Sequence, residues 1–404
     1  MNKKYKSSIY LFNRDLRWQD NECLANAISD SDIVYPIFIL TPEQVDKNQY
    51  ANYRSVSFMC SSILELANEI PVCIFKGATN SVLQNLCVHN KSISAIYNNL
   101  DVTPYAEKRS NKIRDLCKKR GIDFIQGHDI FFGRHCNLLK KNGDPYMIYT
   151  PFYQNAYRAI LKEQPAEMPR TNLNILKKIN TSQQVELLKK YICKDESAGT
   201  FIPGRKAAII AINKFCSQKS NYAIERDIPH KNSTSHLSAY LHFGIVGPVE
   251  TAHLLREKYS QWRNLIKQLV WREFYLYIIW HIHKDYKKKS HSILKNNNII
   301  WAKSEKKYRL WCVGNTGCPW IDAGMRELNS TGFMQNRLRM NVAMFLIFYL
   351  QADWKLGEKY FAKNLYDYDY CQNVCNWMWC ASWEQFSNPI FLHILHLDQI
   401  WPFD

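Results

Sequence analysis

The sequence predicts a two-part fold: an α/β domain built on a doubly wound parallel sheet, followed by an all-α C-terminal domain. Over the first 130 residues, short apolar runs alternate with longer segments of helical spacing. Alternating β and α units are typical of a parallel sheet covered by helices. After residue 204 strand signals nearly vanish, and helical segments continue to about residue 380. At 404 residues the chain is long enough for two or three domains.

Five short β-rich runs are the predicted strands: SIYLF (8–12), IVYPIFIL (33–40), VCIFKG (72–77), ISAIY (93–97) and IDFIQG (122–127). No GxGxxG motif follows the first run, so the sequence does not indicate an NAD-type site. Turn-forming residues interrupt the pattern between about 131 and 200. We therefore predict an α/β domain over 1–130, an inter-domain connector over 131–203 and a helical domain over 204–404.

The composition favours a polyanionic partner, because lysine and arginine gain affinity by releasing the counterions of phosphates. The formal net charge is +17; solubility or codon bias is the alternative explanation. The N-terminus has no segment that resembles a signal peptide, and the longest apolar run, around VAMFLIFYL, is too short to span a bilayer. We expect an intracellular protein with no membrane segment.

Thirteen scattered cysteines are typical of a reducing compartment rather than of a disulfide framework. Cys371, Cys375 and Cys380 could suggest a metal site, but no second pair of the CxxC kind accompanies them. We predict that they are small buried helix residues and that the chain holds no metal.

Two clusters of polar and aromatic residues in the helical domain suit ligands. In TSHLSAYLHFG, three hydroxyls precede an apolar helix and could meet a phosphate, or could simply cap the helix. In QLVWREF, Gln268, Trp271 and Arg272 lie at i, i+3 and i+4. That helix face suits stacking on a base; its alternative is an amphipathic face with Arg272 paired to an acid.

A third cluster lies in GFMQNRLRM, where Asn336, Arg339 and Met340 share one helix face. Arg337 and Arg326 add positive charge nearby. Paired arginines could hold a phosphate or an anionic ring, or could form a solvated surface.

The fourth cluster is DYDYCQNVCNWMWC, which ends the predicted helical region. Asp369 and Gln372 have the spacing of a capping box, so this aspartate could start a helix. Asn373, Asn376 and Trp377 then fall on one helix face. Core packing explains an indole at that place but not two amides beside it.

With these clusters in this order, the sequence resembles the photolyase/cryptochrome family, and within it the class I cyclobutane-pyrimidine-dimer photolyases. The resemblance covers roughly residues 5–381 and includes LFNRDLRWQDN, NLDVTPYAEKRS, PYMIYTPFYQNAY, TSHLS, WREF, GCPWIDAGMRELNSTGFMQNRLRM, DWKLGEKYF and NWMW. It implies an antenna-type α/β domain and a helical domain that buries FAD.

The resemblance also implies which residues hold the cofactor. The pyrophosphate and ribose side would contact Tyr222, Thr234, Ser235, Leu237 and Ser238. The isoalloxazine would be lined by Asn336, Arg339, Asp367, Asp369 and Asn373. Asn373 would face the flavin N5, and an amide there favours repair over signalling.

The implied activity is light-driven repair of cyclobutane pyrimidine dimers in DNA, by electron transfer from excited reduced FAD to a flipped-out dimer. The implied lesion and DNA contacts are Gln268, Trp271, Asn336, Met340, Trp379, Arg226 and Arg337. The implied chain for photoreduction is Trp377, Trp354 and Trp301. The alternatives are a cryptochrome-like blue-light photoreceptor and a degenerate photolyase that binds nucleic acid without repair. We expect damaged DNA as the partner and a monomer as the working state.

The sequence departs from the family pattern at several places. Gln268 stands where class I enzymes usually carry glutamate, as in the (6-4) branch, yet Gln335 and Asn336 replace the paired histidines of that branch. His236 replaces the usual arginine of TSRLS, and no folate-type Asn-Glu pair is visible, which leaves a second antenna chromophore unidentified. The pattern ends after Ser382, which predicts a C-terminally shortened helical domain.

Overall fold

The computed structural model describes residues 3–46, 50, 52–132, 138–169, 173–174, 181–193, 201–218, 221–285, 301 and 304–381. The segment from residue 382 onward, on which the predicted C-terminal shortening rests, lies outside the described residues. Among the described residues, no helix is long and apolar enough to cross a membrane.

The N-terminal part is a five-stranded parallel sheet with the strand order β3-β2-β1-β4-β5. Its strands are β1 (Tyr5–Phe12), β2 (Ser31–Leu40), β3 (Cys73–Lys76), β4 (Ile93–Asn99) and β5 (Asp123–Gly127). All five predicted strands are confirmed, and so is the α/β class. The structure lengthens the first one toward the N-terminus, because Tyr5 pairs with Ser31 of the neighbouring strand.

The central strand β1 is buried on both faces, which explains why its sequence is a continuous apolar run rather than an alternating one. Ile9 and Leu11 pack into a cluster with the helices Thr79–His89 and Pro104–Arg120, while Tyr10 and Phe12 pack on the opposite face. The face of Ile9 and Leu11 contributes to the core of the α/β part. The opposite face joins a core that continues into the helical part.

Helices α1 to α5 alternate with the strands, and α6 and α7 follow in the connector region. Their bounds are α1 (Glu22–Asp30), α2 (Pro42–Val45), α3 (Tyr53–Glu69), α4 (Thr79–His89), α5 (Pro104–Arg120), α6 (Tyr149–Ile160) and α7 (Thr181–Lys189). Helix α5 shows how the local sequence sets such bounds. Thr103 caps its first turn by accepting from the Ala106 N–H at 3.3 Å, and Gly121 ends it in the left-handed region at φ +65°.

The rest of the described chain is helical, as predicted. It contains α8 (Arg205–Ser217), α9 (Tyr222–Glu225), α10 (Ser238–His242), α11 (Pro248–Lys258), α12 (Trp262–Asp285), α13 (Glu305–Val313), α14 (Pro319–Thr331), α15 (Asn336–Met344), α16 (Trp354–Asn364) and α17 (Tyr370–Ala381). A 3-10 turn covers Pro229–Lys231, and a π-helical turn, Phe345–Tyr349, continues α15. A separate apolar core forms between α13 and α17 around Trp311 and Trp377.

The loop after β1 joins the α/β part to the helical part. The Leu16 N–H donates to the Phe243 carbonyl at 3.0 Å, just after α10. Gly244 has φ +62°, and a Cβ built there would overlap the backbone of Arg14 and Asp15. Glycine at this position therefore lets the two backbones touch.

Candidate functional site

A cavity opens between α15, α16 and α17. It spans about 480 Å³ of space free of protein atoms when the open solvent at its mouth is counted. Its walls carry charged and amide groups from α15 and α17 on an apolar base from α16. The lining residues are Asn336, Arg339, Met340, Ala343, Phe361, Leu365, Asp367, Tyr368, Asp369, Gln372, Asn373, Asn376, Trp377 and Cys380.

An ion pair with a buried carboxylate forms one wall of this cavity. The Arg339 Nη2 lies 2.9 Å from Oδ2 and 3.2 Å from Oδ1 of Asp367, whose side chain is 2% exposed. The Arg339 Nε donates to the Met334 carbonyl at 2.7 Å, which fixes the guanidinium plane. A carboxylate this buried requires a cation beside it. The two residues predicted to share a helix face with Arg339, Asn336 and Met340, also line the cavity.

Asn373 lies on the α17 wall, where its amide orientation is set by Glu358 of α16. Its Nδ2 donates to the Glu358 carbonyl at 3.2 Å and to Oε1 at 3.1 Å, and Tyr368 donates to the same Oε1 at 3.2 Å. Both amide hydrogens are thus engaged, so the carbonyl oxygen is the end of Asn373 that a ligand can use. Burial raises the pKa of Glu358. No sequence pattern marked this glutamate as a site residue.

Asp369 starts α17, as one of the two predicted roles required. Its Oδ1 accepts from the N–H groups of Cys371 at 2.9 Å and Gln372 at 3.2 Å. The capping box is incomplete, because the Gln372 side chain donates to the Arg272 carbonyl at 3.0 Å. The other oxygen of Asp369 pairs with Arg14, from the loop after β1.

The hydroxyl-bearing loop before α10 does not cap that helix. Leu237 occupies the N-cap position. The alternative prediction, that a hydroxyl of this stretch caps the helix, is therefore wrong. Thr234 keeps a buried Oγ1 with no hydrogen-bond partner among the described residues. Ser235 is half-buried and Ser238 is exposed. An unpaired buried hydroxyl is costly unless a ligand meets it.

This loop approaches the cavity through aromatic contacts. His236, at φ +50°, bonds Asn232 Oδ1 at 2.7 Å, and its ring centroid lies 4.8 Å from that of Phe333. The Arg339 guanidinium also lies over the Phe333 ring, 5.5 Å from the ring centroid. Tyr222, at the start of α9, is buried, which raises its pKa to about 12.

The predicted face of α12 is divided between two environments. The Trp271 indole stacks on Tyr149 of α6, with ring centroids 3.6 Å apart and planes at 6°. Arg272 pairs with no acid in the part of the chain that the structure describes: it donates to the carbonyls of Ile130 at 2.9 Å and Leu241 at 3.3 Å. Gln268, Trp271 and Arg272 were predicted to form one ligand-facing surface. That prediction is wrong for Arg272, because its guanidinium is bound by these two backbone carbonyls. Gln268 is half-buried.

Two arginines predicted to contact phosphates share one acid. The Arg337 Nη2 lies 2.6 Å from Asp227 Oδ1, and the Arg226 Nε lies 3.6 Å from the same oxygen. Arg326, which was expected to add charge near this group, instead donates to the Gly314 carbonyl at 2.7 Å.

The tryptophans predicted to form a chain belong to one core. Trp377 is 2% exposed and meets Phe361 edge-on at 5.1 Å and Trp311 at 6.4 Å. Trp354, the first residue of α16, and Trp301 pack against this core, as does Trp379. The Trp301 Nε1 is buried without a partner among the described residues. The cysteines 371, 375 and 380 are buried, as predicted.

Comparisons with known proteins identify the family. The sequence profile described as DNA photolyase matches residues 8–170, and that of the FAD binding domain of DNA photolyase matches residues 265–403. A deoxyribodipyrimidine photo-lyase of Salmonella typhimurium is 30% identical over 94% of this chain and 83% of its own length. The chain belongs to the DNA photolyase family.

Solved photolyases share this fold. An archaeal photolyase from Sulfolobus tokodaii with two FAD molecules superposes with a TM-score of 0.80 at 32% identity, covering 93% of this chain and 83% of its own. A class III photolyase from Agrobacterium tumefaciens also has a TM-score of 0.80, at 26% identity and with coverage of 94% and 80%. The helical half of the chain is accordingly an FAD-binding domain of the photolyase type.

The described residues fit FAD. The orphaned Thr234 hydroxyl offers a donor to a phosphate oxygen, and the Arg339 guanidinium offers positive charge to an anionic ring. The Asn373 carbonyl offers an acceptor to a ring N–H. Among the described residues no cluster of His, Cys, Asp and Glu side chains could hold a metal ion.

Proposed function

We propose that the chain is a flavin-dependent photolyase that uses light to split cyclobutane pyrimidine dimers in DNA. The observation that carries this proposal is the cavity that joins the Arg339–Asp367 ion pair to the Asn373 amide, within the FAD-binding half of a photolyase-family chain. When bound, reduced FAD supplies the electron that, after absorption of light, splits the dimer.

The polar residues around the cavity would hold the cofactor. Arg339 would balance the negative charge of the reduced ring, and Asp367 keeps that guanidinium in place. Asn373 would accept a hydrogen bond from the ring, with its own orientation locked by Glu358. On the phosphate side we propose contacts from Tyr222, Thr234, Ser235, Leu237 and Ser238.

The lesion would enter from the rim of the cavity formed by Asn336 and Met340. We propose that Trp271 and Trp379 pack against the flipped-out bases, while Gln268 and Asn336 hydrogen-bond them. Arg226 and Arg337 would contact the DNA backbone, which fits the +17 charge of the chain.

We also propose that Trp377, Trp354 and Trp301 carry electrons to the cavity when the cofactor needs reduction. Their common core position and the cavity-lining place of Trp377 support this role.

We propose that the protein acts as a monomer inside the cell. Its functional units would cover residues 1–130, 131–203 and 204–404, and a second chromophore is left unassigned.

The test is to purify the chain, reconstitute it with FAD, reduce it and illuminate it with dimer-containing DNA. We expect a flavin absorption spectrum and light-dependent loss of dimers. Absence of flavin binding would contradict the proposal outright, and flavin binding without loss of dimers would favour a photoreceptor. Trp377→Phe should block photoreduction but spare repair by chemically reduced enzyme; photoreduction that survives would contradict the proposed electron chain.

A further inference from the structure

We propose that Arg14, in the loop after β1, is a positioning residue for the FAD cavity. It reaches from the α/β part into the helical part and fixes the carboxylate of Asp369, and through it the cavity wall formed by α17. This inference rests on the proposed function, because it concerns how tightly the cavity holds FAD.

The contacts of Arg14 are many and buried. Its Nη2 pairs with Asp369 Oδ2, its Nη1 lies 3.4 Å from Asp101 Oδ1, and its Nε donates to the His242 carbonyl at 3.0 Å. The side chains of Arg14, Asp369 and Asp101 are 15%, 4% and 9% exposed. A guanidinium can hold several partners at once because its donors form a rigid fork.

Arg14 is the arginine that pairs with the Asp369 carboxylate. Burial and the nearby Arg14 lower the pKa of His242, while Asp369, whose Oδ2 lies 3.5 Å from the His242 Nδ1, opposes that shift. Arg272 faces the same region but donates to two backbone carbonyls. Burial alone would raise the pKa of Asp369, but the Arg14 guanidinium, together with His242 and Arg272, outweighs burial and holds that pKa well below its usual value. Without Arg14, a buried carboxylate would lose its paired cation.

The two carboxylate oxygens of Asp369 bind different parts of the fold. Oδ1 caps α17 through the N–H groups of Cys371 and Gln372, while Oδ2 binds Arg14. The first turn of α17 is thereby tied to the α/β part. Asn373 follows directly, with its N–H on the Asp369 carbonyl at 2.8 Å. Arg14 therefore sets the position of the cavity wall that begins at Asp369.

Arg17, three residues further on, offers a matched control. It belongs to the same loop and is the more deeply buried of the two, 1% exposed against 15% for Arg14, and it crosses the same junction by donating to the Gly244 carbonyl at 3.0 Å. Its carboxylate partner is Asp129 at 2.6 Å, which does not line the FAD cavity. Loss of Arg17 should therefore disturb the junction without disturbing the Asp369 charge.

The experiment compares the full-length chain with Arg14→Gln and Arg17→Gln, after stripping the flavin and titrating FAD back. Both variants should lower the thermal midpoint of the flavin-free protein. Only Arg14→Gln should weaken FAD binding, by about tenfold, and Arg14→Lys should partly restore it. Equal FAD affinity in the two glutamine variants would overturn the inference.

If Arg14→Gln does not fold, Arg14→Lys decides, because lysine lacks the rigid fork through which Arg14 reaches Asp369 and the His242 carbonyl from separate nitrogens. Unchanged FAD affinity in that variant would overturn the inference. A parent chain that binds no FAD would instead contradict the proposed function itself.

Discussion

Replacing Gly357 by alanine should push apart α16 and α17, which form the base and one wall of the FAD cavity. Gly357 lies in α16, where a Cβ would overlap Cη2 of Trp377 and approach Leu346 Cδ2 to 2.5 Å. Both neighbours belong to the buried core, and an indole ring cannot flex out of the way. The backbone of Gly357 is not in the left-handed region, so the effect will be steric rather than conformational.

The size of the effect follows from two opposing contributions. Overpacking of a well-filled core costs about 1–3 kcal/mol, and the rigid contact with Trp377 places this site at the upper end. Alanine gains about 1 kcal/mol over glycine in a helix interior. The net loss should be about 2 kcal/mol, which lowers the thermal midpoint by about 4–8 °C. A displaced Trp377 should also slow photoreduction of bound FAD.

The assay is thermal unfolding of the parent chain, Gly357→Ala and Gly324→Ala. Gly324 is a matched control in α14, because its Cβ would meet Val342 Cγ1 at 3.3 Å and other atoms at 3.6 Å. It receives the same helix-propensity gain with only a slight contact. Indistinguishable midpoints for the two variants would refute the close α16–α17 packing described above.

Three further predictions concern charge and stacking. Glu273→Gln should stabilise the fold by about 3 kcal/mol more at pH 8.5 than at pH 5.5 in urea unfolding. The reason is that burial raises the pKa of Glu273 to about 8, so the stability contributed by its protonated form is lost as the pH rises; a pH-independent gain would contradict this. Asp227→Asn should free Arg337 and steepen the log–log salt dependence of DNA binding by about 0.9, and an unchanged slope would count against a phosphate contact. Tyr149→Leu should weaken binding of dimer-containing DNA about fivefold by removing the stack on Trp271, whereas Tyr149→Phe should preserve it; equal losses would show that the stack is irrelevant.

Local patterns predicted the fold well because they depend on neighbours in sequence. Buried parallel strands such as IVYPIFIL are continuous apolar runs, and the structure places β2 over the same residues. Helical spacing likewise placed Asn336, Arg339 and Met340 together, and all three line the cavity. The family resemblance supplied FAD and the light-driven chemistry, which no spacing can indicate.

Long-range contacts could not be predicted from these patterns. Arg14 and Asp369 are separated by 355 positions, and nothing in the motif around Arg14 indicates its partner. Arg272 was predicted to face a ligand or, alternatively, to pair with an acid, yet its side chain donates to two backbone carbonyls. The partner of a side chain is decided by which elements the fold brings together, and local spacing does not contain that information.

The most direct test of the central claim is light-dependent repair by the reconstituted protein. Chemically reduced, FAD-loaded chain is mixed with an oligonucleotide that contains one cyclobutane pyrimidine dimer, and the intact dimer is counted before and after blue or near-ultraviolet illumination. The account predicts loss of the dimer in the light and none in the dark. Persistence of the dimer under illumination, with reduced FAD shown to be bound, would contradict it.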